Sequence, residues 1–256
     1  MLHHKIFLDL DGTVYIDNFI IDKADEEIRR LDKNGFEFFY LTNNTSADTN
    51  YYLTKLKKLN LPINDRSIIS PIHVISNWIQ DKKYSNIYVV GVKNFENELI
   101  KRTGVKISTK DPECIIVGFD KELTYQKLEI ACKLISKNIP YYLSHIDYYC
   151  PSLEGNLPDC GSIGLLLEKT TGIKPKGNFG KPSQLMTEYI QNFINKKDNN
   201  ILVGDRIHTD IEIGKKIGAR TILVCSGEFK NSIEEKKNIK DTEIYNTLSD
   251  FLRTLQ

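Results

Sequence analysis

Two acids close a short apolar run in Phe7-Leu8-Asp9-Leu10-Asp11-Gly12-Thr13. If that run is a strand, carboxylates two residues apart point the same way. In an open parallel sheet, ligands sit outside the carboxyl ends of the strands. Two acids there repel one another unless a cation compensates them. Gly12 permits a tight turn whose backbone N–H groups can approach an anion. Capping of a following helix is the plain alternative use of such a segment.

Three further places could complete a site. A second apolar run ends in Tyr40-Leu41-Thr42-Asn43-Asn44, where a hydroxyl and an amide suit phosphate oxygens without adding charge. Gly180-Lys181-Pro182-Ser183 places a cation ahead of a proline, and proline favours a first helical turn. A cation beside a helix N-terminus makes an anion site. Ile201-Leu202-Val203 leads into Gly204-Asp205, with Asp210 five residues on. Carboxylates are hard oxygen ligands of the kind divalent cations take. Asp210 serves as a second ligand, as an orienter of the first, or as an ordinary helix cap.

These residues need a scaffold that carries them to one edge. Strand-like runs at Ile6–Leu8, Phe36–Leu41, Ile87–Val90, Cys114–Val117, Tyr141–Leu143, Ile201–Val203 and Thr221–Val224 alternate with helical patterns. The helical stretches are Lys23–Lys33, Asp48–Leu59, Thr124–Lys137, Ser162–Thr171 and Thr209–Ile217. In Asp48–Leu59, Tyr52, Leu56 and Leu59 share one face; in Ser162–Thr171, Ile163, Leu166, Leu167 and Thr170 do. Thr124 is an N-cap signal and Gly172 a C-cap signal. Strands alternating with helices predict parallel βαβ units in a doubly wound α/β fold. The mixed-sign run Glu234–Lys240 reads as a solvated loop or helix end.

Composition narrows the partners. The 256 residues carry 35 Lys plus Arg against 34 Asp plus Glu, a net charge of +1. That balance excludes a nucleic-acid binder held by bulk electrostatics. No apolar run approaches the ~20 residues needed to span a bilayer, so no membrane partner is expected. The five Cys form no C-x-x-C pair, which argues against a zinc knuckle or a disulfide framework. The default setting is a reduced cytoplasm.

Taken in order, D-x-D-G-T, a strand-end Thr, a Lys before a helix and G-D-x-x-x-x-D resemble the haloacid dehalogenase (HAD) superfamily of phosphotransferases. The spacing and the Gly-Asp-Arg-Ile-His-Thr-Asp-Ile stretch resemble its subfamily IIA. That branch includes NagD-like nucleotidases and the 4-nitrophenyl-, phosphoglycolate and pyridoxal phosphate phosphatases. The resemblance implies a doubly wound parallel-sheet core with an inserted α/β (C2-type) cap. It divides the chain into a core at 1–82 and 179–256 and a cap at 83–178. It implies Asp9 as nucleophile and Asp11 as general acid/base. Gly12, Thr42, Asn43 and Lys181 would hold the phosphoryl group. Mg2+ would be held by Asp9, Asp205 and Asp210, with the backbone carbonyl of Asp11. The partner would be a small phosphorylated metabolite: a nucleoside monophosphate, phosphoglycolate, or a sugar or polyol phosphate. Relatives often pair through their caps, which admits a homodimer here.

The chain departs from the pattern in the cap loop, where Ser144-His145-Ile146-Asp147 replaces the frequent Thr-Asn-Pro-Asp. His145 and Asp147 are therefore the candidates for touching the leaving group. Two other readings compete. A phosphomutase or phosphotransferase on the same fold would pass phosphate to a second substrate. A receiver-type signalling module would place its phosphorylated Asp after a later strand, whereas here the next strand ends in Thr42. Substituting His145 or Asp147 is expected to reorder substrate preference more than it slows a small aryl phosphate. A phosphate-release panel checks this, and an equal fall on every substrate would make the loop structural.

Overall fold

The computed structural model describes residues 4–64, 66–195, 197–229, 239 and 241–256. The Glu234–Lys240 run therefore lies, except for Ile239, outside the described residues. In chain order the first elements are β1 (His4–Asp9), the hairpin β2 (Tyr15–Ile16) and β3 (Phe19–Ile20), α1 (Ala24–Lys33), β4 (Phe36–Leu41), α2 (Thr49–Lys58), β5 (Ile68–Ile69) and α3 (Pro71–Lys82). Next come β6 (Asn86–Val90), α4 (Lys93–Thr103), β7 (Lys106–Ile107), β8 (Cys114–Val117), α5 (Tyr125–Ser136), β9 (Tyr141–Leu143), the hairpin β10 (Tyr149–Cys150) and β11 (Leu157–Pro158), and α6 (Cys160–Thr171). The chain continues with α7 (Gln184–Gln191), β12 (Asn199–Gly204), α8 (Glu212–Lys216), β13 (Arg220–Val224), β14 (Thr242–Tyr245) and a final helix, Leu248–Leu252.

Six strands form one parallel sheet in the order β14-β13-β12-β1-β4-β5. Successive residues of β1 face opposite layers, as the two-residue period of a strand requires. Ile6 and Leu8 pack with Ile28 and Leu31 of α1 and Tyr52 and Leu56 of α2. Phe7 packs on the other side with Ile75 and Ile79 of α3 and Met186 and Ile190 of α7. Both faces are covered, so the sheet is doubly wound, as expected.

A second parallel sheet, β7-β6-β8-β9, arises wholly from chain between β5 and β12. It is thus an α/β insertion into the first unit. One of its faces packs on α5 and α6 through Val90, Val117, Ala131 and Ile163. Its other face joins the layer that holds Phe7 and Ile75, through Val89 and Ile116. One apolar layer therefore serves both sheets. Among the described residues, no helix is long and apolar enough to cross a membrane.

Several expected elements shift. The helix read at Ser162–Thr171 starts at Cys160, because the Asp159 carboxylate accepts from Cys160 N and caps it. Gly161 and Gly164 let it lie close to the neighbouring backbone and Leu143, so Leu166 turns outward. The stretch read as one helix from Thr209 to Ile217 opens with a wider turn, Ile207–Ile211, before α8. There Arg206 O accepts from both Asp210 N and Ile211 N. Pro182 is not in the first turn of α7; Ser183 caps that helix by accepting from Met186 N.

His73 on α3 is buried between Ser70 and Arg102. Burial, aided by the Arg102 guanidinium, holds its pKa down to about 4 from the ordinary 6.5. Unfolded chains bind a proton at His73 below about pH 6.5 and the folded protein does not until about pH 4. Stability from this group is therefore full above 6.5 and declines as pH falls toward 4. The loss amounts to at most about 3.5 kcal/mol at ~1.4 kcal/mol per pKa unit. Urea midpoints across this window are expected to fall more steeply for the wild type than for His73→Gln; parallel slopes would refute it.

Candidate active site

The register of the sheet brings the key acids together. β1 pairs with β12 with Leu8 opposite Val203, so the two strands end side by side in Asp9 and Gly204-Asp205. The wide turn after β12 then directs Asp210 back, where its Oδ2 accepts from Arg206 N at 3.1 Å. One carboxylate oxygen from each of Asp9, Asp205 and Asp210 lies within 4.8 Å of the others. Lys181 Nζ donates to Asp9 Oδ1 at 2.5 Å and to Asp210 Oδ1 at 2.7 Å. Thr13 Oγ1 lies 3.3 Å from Asp9 Oδ2 and 3.4 Å from Asp205 Oδ1.

The charge balance of this group is unfavourable as it stands. Burial, with Asp9 and Asp210 beside it, pushes the Asp205 carboxyl well above its ordinary pKa. Burial and Asp9 push Asp210 up to about 6 against the pull of Lys181. Burial would lower the Lys181 pKa, but the Asp210 and Asp9 carboxylates outweigh it and keep the ammonium firmly charged. A donor set of three converging carboxylates, under-compensated by one ammonium, fits a hard divalent cation. Asp11 is at the same strand end but its carboxylate is outside this group. Burial raises its pKa, opposed by Lys55, Arg206, Lys121 and Lys181.

The cleft above these residues is lined by Asp9, Asp11, Thr42, Asn43, Lys181 and Arg206 from the six-stranded unit. Asp147, Cys150 and Asp159 line it from the inserted unit. Thr42 Oγ1 accepts from Asn44 N at 3.0 Å, which leaves its O–H to donate. Asn43 has a different task from the expected phosphate contact. Its Oδ1 accepts from Lys181 N at 2.8 Å, and its Nδ2 donates to Lys181 O and to Asp147 Oδ2. With its side chain engaged in these contacts, it braces Lys181.

Gly12 also differs from expectation. Its N–H donates to Tyr15 O at 2.8 Å, inside its own turn, so it is not aimed at an anion. What requires glycine there is a φ of 96° and the closeness of Asp205, 2.6 Å from where a Cβ would stand.

The cap-loop pair divides. Asp147 reaches the cleft, but Asn43 and Arg206 Nη1, the latter at 3.1 Å, engage both of its oxygens. His145 does not line the cleft. It is fully buried, with Nδ1 2.8 Å from Ser144 Oγ and Nε2 2.8 Å from Asp159 Oδ1. Burial would lower its pKa, but Asp159 and Asp147 outweigh this and raise it. Asp159, which His145 holds in place, lines the cleft instead. Cys150 also lines the cleft, its thiol pushed by burial up to about 12 and so unfit as a nucleophile.

Arg206 and Asp159 were not singled out as site residues in the sequence. Arg206 lies in the quoted Gly-Asp-Arg, and it ties Asp147 and Tyr149 O of the insertion to Glu228 of the core. Asp159 precedes the Cys160-Gly161 helix start, where an acidic N-cap is a readable signal.

Comparisons agree with this geometry. The haloacid dehalogenase-like hydrolase family model matches residues 6–106, and a second HAD-hydrolase-like model matches 178–251. The chain is 27% identical over 247 residues to the 5'-nucleotidase YutF of Bacillus subtilis, covering 96% of each. It is 26% identical over 259 residues to an acid sugar phosphatase of Staphylococcus aureus, covering 100% of each. The crystal structure of 4-nitrophenylphosphatase from Thermotoga maritima superposes with a TM-score of 0.90 at 30% identity, over 99% of this chain and 98% of that one. NagD of E. coli K-12, at 24% identity and a TM-score of 0.82 over 98% of each chain, shares the fold. With its four motifs at one sheet edge and an α/β cap inserted into a doubly wound core, the chain belongs to the haloacid dehalogenase-like hydrolases, in the NagD-like subfamily IIA, and is a phosphoric monoester hydrolase of that family.

Proposed function

We propose that this protein is a magnesium-dependent phosphomonoesterase that hydrolyses a small phosphorylated metabolite through an aspartyl-phosphate on Asp9. The observation that carries it is the convergence of Asp9, Asp205 and Asp210 around Lys181 at one strand edge, with the Asp11 carboxylate set apart. We take residues 1–82 and 179–256 as the core and 83–178 as the cap. The 5'-nucleotidase and acid sugar phosphatase relatives point to nucleotides and sugar phosphates as the range of metabolites.

Asp9, Asp205 and Asp210 would hold the magnesium ion, together with the backbone carbonyl of Asp11. Bound there, it supplies Lewis-acid neutralisation of the phosphoryl oxygens. Lys181 and the Thr42 hydroxyl bind the same oxygens and fix the phosphorus in line with Asp9. Asp9 attacks phosphorus through a carboxylate oxygen, forming the acyl phosphate as the bond to the leaving oxygen breaks. The Asp11 carboxyl gives its proton to that leaving oxygen. The resulting Asp11 carboxylate then takes a proton from water as the water oxygen attacks phosphorus. Cleavage of the acyl phosphate frees Asp9 and inorganic phosphate. Asn43 keeps Lys181 in place throughout through its two backbone contacts.

Asp9→Asn is expected to lower kcat on 4-nitrophenyl phosphate at least ~1,000-fold. Its thermal midpoint should stay near that of the wild type. Activity within tenfold of wild type would end the nucleophile assignment. Magnesium is expected to raise the thermal midpoint of the wild type, because it binds the folded state alone. Asp205→Asn should weaken Mn2+ binding at least ~10-fold in calorimetry and flatten that midpoint response. Equal metal affinity in both proteins would remove Asp205 from the ligand set.

A further inference from the structure

A second cleft opens beside the catalytic one, and the two share Asp11, Asn44, Cys150 and Pro151 as walls. Asp11 faces the leaving oxygen in the reading above, so the leaving group extends toward this second cleft. Its other walls include Lys55 of α2 and Lys121, which follows β8.

These two cations are unlike the others around the site. Lys181 is paired with Asp9 and Asp210, Arg206 with Asp147 and Glu228, and Lys127 with Asp120. Among the described residues, neither Lys55 nor Lys121 has a carboxylate within ion-pair distance. Each lies over a ring instead: Lys55 Nζ is 3.5 Å from the centroid of Tyr15, and Lys121 Nζ is 5.0 Å from that of Phe119. Lys55 is half-buried, and burial presses its pKa down. A desolvated ammonium without a counter-ion is costly, and a ligand anion relieves that cost.

Burial lowers the Lys55 pKa more than Asp11 and Asp17 raise it, and neither acid lies within ion-pair distance. Asp17, the other acid in this cleft, is exposed and accepts from Leu153 N at 3.1 Å. Asp147 is engaged by Asn43 and Arg206, and Asp159 by His145 and Cys160 N. Asp11 is protonated when it serves as the acid. A leaving group of neutral hydroxyls alone would leave both ammoniums uncompensated.

We propose that Lys55 and Lys121 form a second anion-binding subsite, which takes a further phosphate or carboxylate carried by the leaving group. The proposal rests on the phosphomonoesterase reading and narrows its substrate to one bearing two anionic groups. Lys55 approaches from the core and Lys121 from the cap, so the second anion would bridge the two units.

The test compares propanediol monophosphate with two analogues that add one anion each, propanediol bisphosphate and phosphonooxypropanoate. In the wild type, kcat/KM for at least one dianionic analogue should exceed that for the monophosphate at least tenfold. The phosphate and carboxylate arms show which anion the subsite takes. Lys55→Met and Lys121→Met should each reduce that ratio about tenfold, mainly through KM, as loss of a charge-assisted contact does. Lys55→Arg should retain it. Lys121 is exposed, so its variant reads the subsite even where Lys55→Met perturbs packing on Tyr15. A wild-type ratio near one in both arms overturns the subsite, as does a ratio unchanged in Lys121→Met. In both cases the monophosphate is still hydrolysed. A wild type that hydrolyses none of the three overturns the phosphomonoesterase reading itself, and the subsite with it.

Discussion

Lys181 donates to Asp9 and Asp210 in a setting almost closed to water, with its side chain 3% exposed. Three carboxylates at this spacing repel strongly where the dielectric is low. Removing Lys181 would cost roughly 3–5 kcal/mol, because the Asp9 and Asp210 carboxylates would be left unmatched. The fold is arranged so that this does not occur. Asn43 holds the Lys181 backbone at both its N–H and its carbonyl. Gly180 leaves room for Asn43, whose Oδ1 lies 2.6 Å from where a Cβ would stand. The parallel pairing of β1 with β12 brings Asp9 and Asp205 to one edge, and that pairing is locked by apolar layers on both faces. The acids can converge because packing elsewhere supplies the free energy that their repulsion takes away.

Legibility in the sequence followed the range of the interaction. Asp9, Asp11, Thr42, Lys181, Asp205 and Asp210 could be read because strand ends and turn residues mark them locally. β4, β8 and β9 match their apolar runs residue for residue, since strands covered on both faces are nearly continuously apolar, Glu37 being the exception in β4. α3 was missed although Ser70-Pro71 opens it. Its near-continuous Ile72-His73-Val74-Ile75 hides the helical period, because both sheets bury it. Asn43 and Gly12 were read by residue type, and their tasks differ because distant or turn-closing partners engage them. No local pattern joins Arg206 to Asp147, or Asp159 to His145. The first pair exists only once the cap is folded over the core, and the second only once the cap itself has folded.

Core and cap meet in two unlike ways. On one side a single apolar layer runs from Phe7 and Ile75 to Val89 and Ile116. On the cleft side the contacts are polar: Arg206 to Asp147, Asn43 to Asp147, and Thr45 Oγ1 to Ser144 Oγ at 3.1 Å. Buried apolar area resists exposure at about 25 cal/mol per Å2, and water offers no substitute for it. Polar contacts at a cleft exchange for water at a net of roughly 0.5–1.5 kcal/mol each. Separation of the two units is therefore cheapest at the cleft, with the apolar layer as the fixed side.

A net charge of +1 over 256 residues conceals a sharp local division. Carboxylates converge with Lys181 on one side of Asp11, and two lysines without carboxylate partners stand on the other. Asp11 is the boundary, and both groups act on it. The ammoniums oppose the rise that burial imposes on its carboxyl. Lys55, the strongest of them, and Lys121 are the ones a substrate anion would neutralise. An anion seated between Lys55 and Lys121 would therefore weaken their opposition and favour the protonated acid. Leaving-group recognition and proton donation would then be coupled through charge alone.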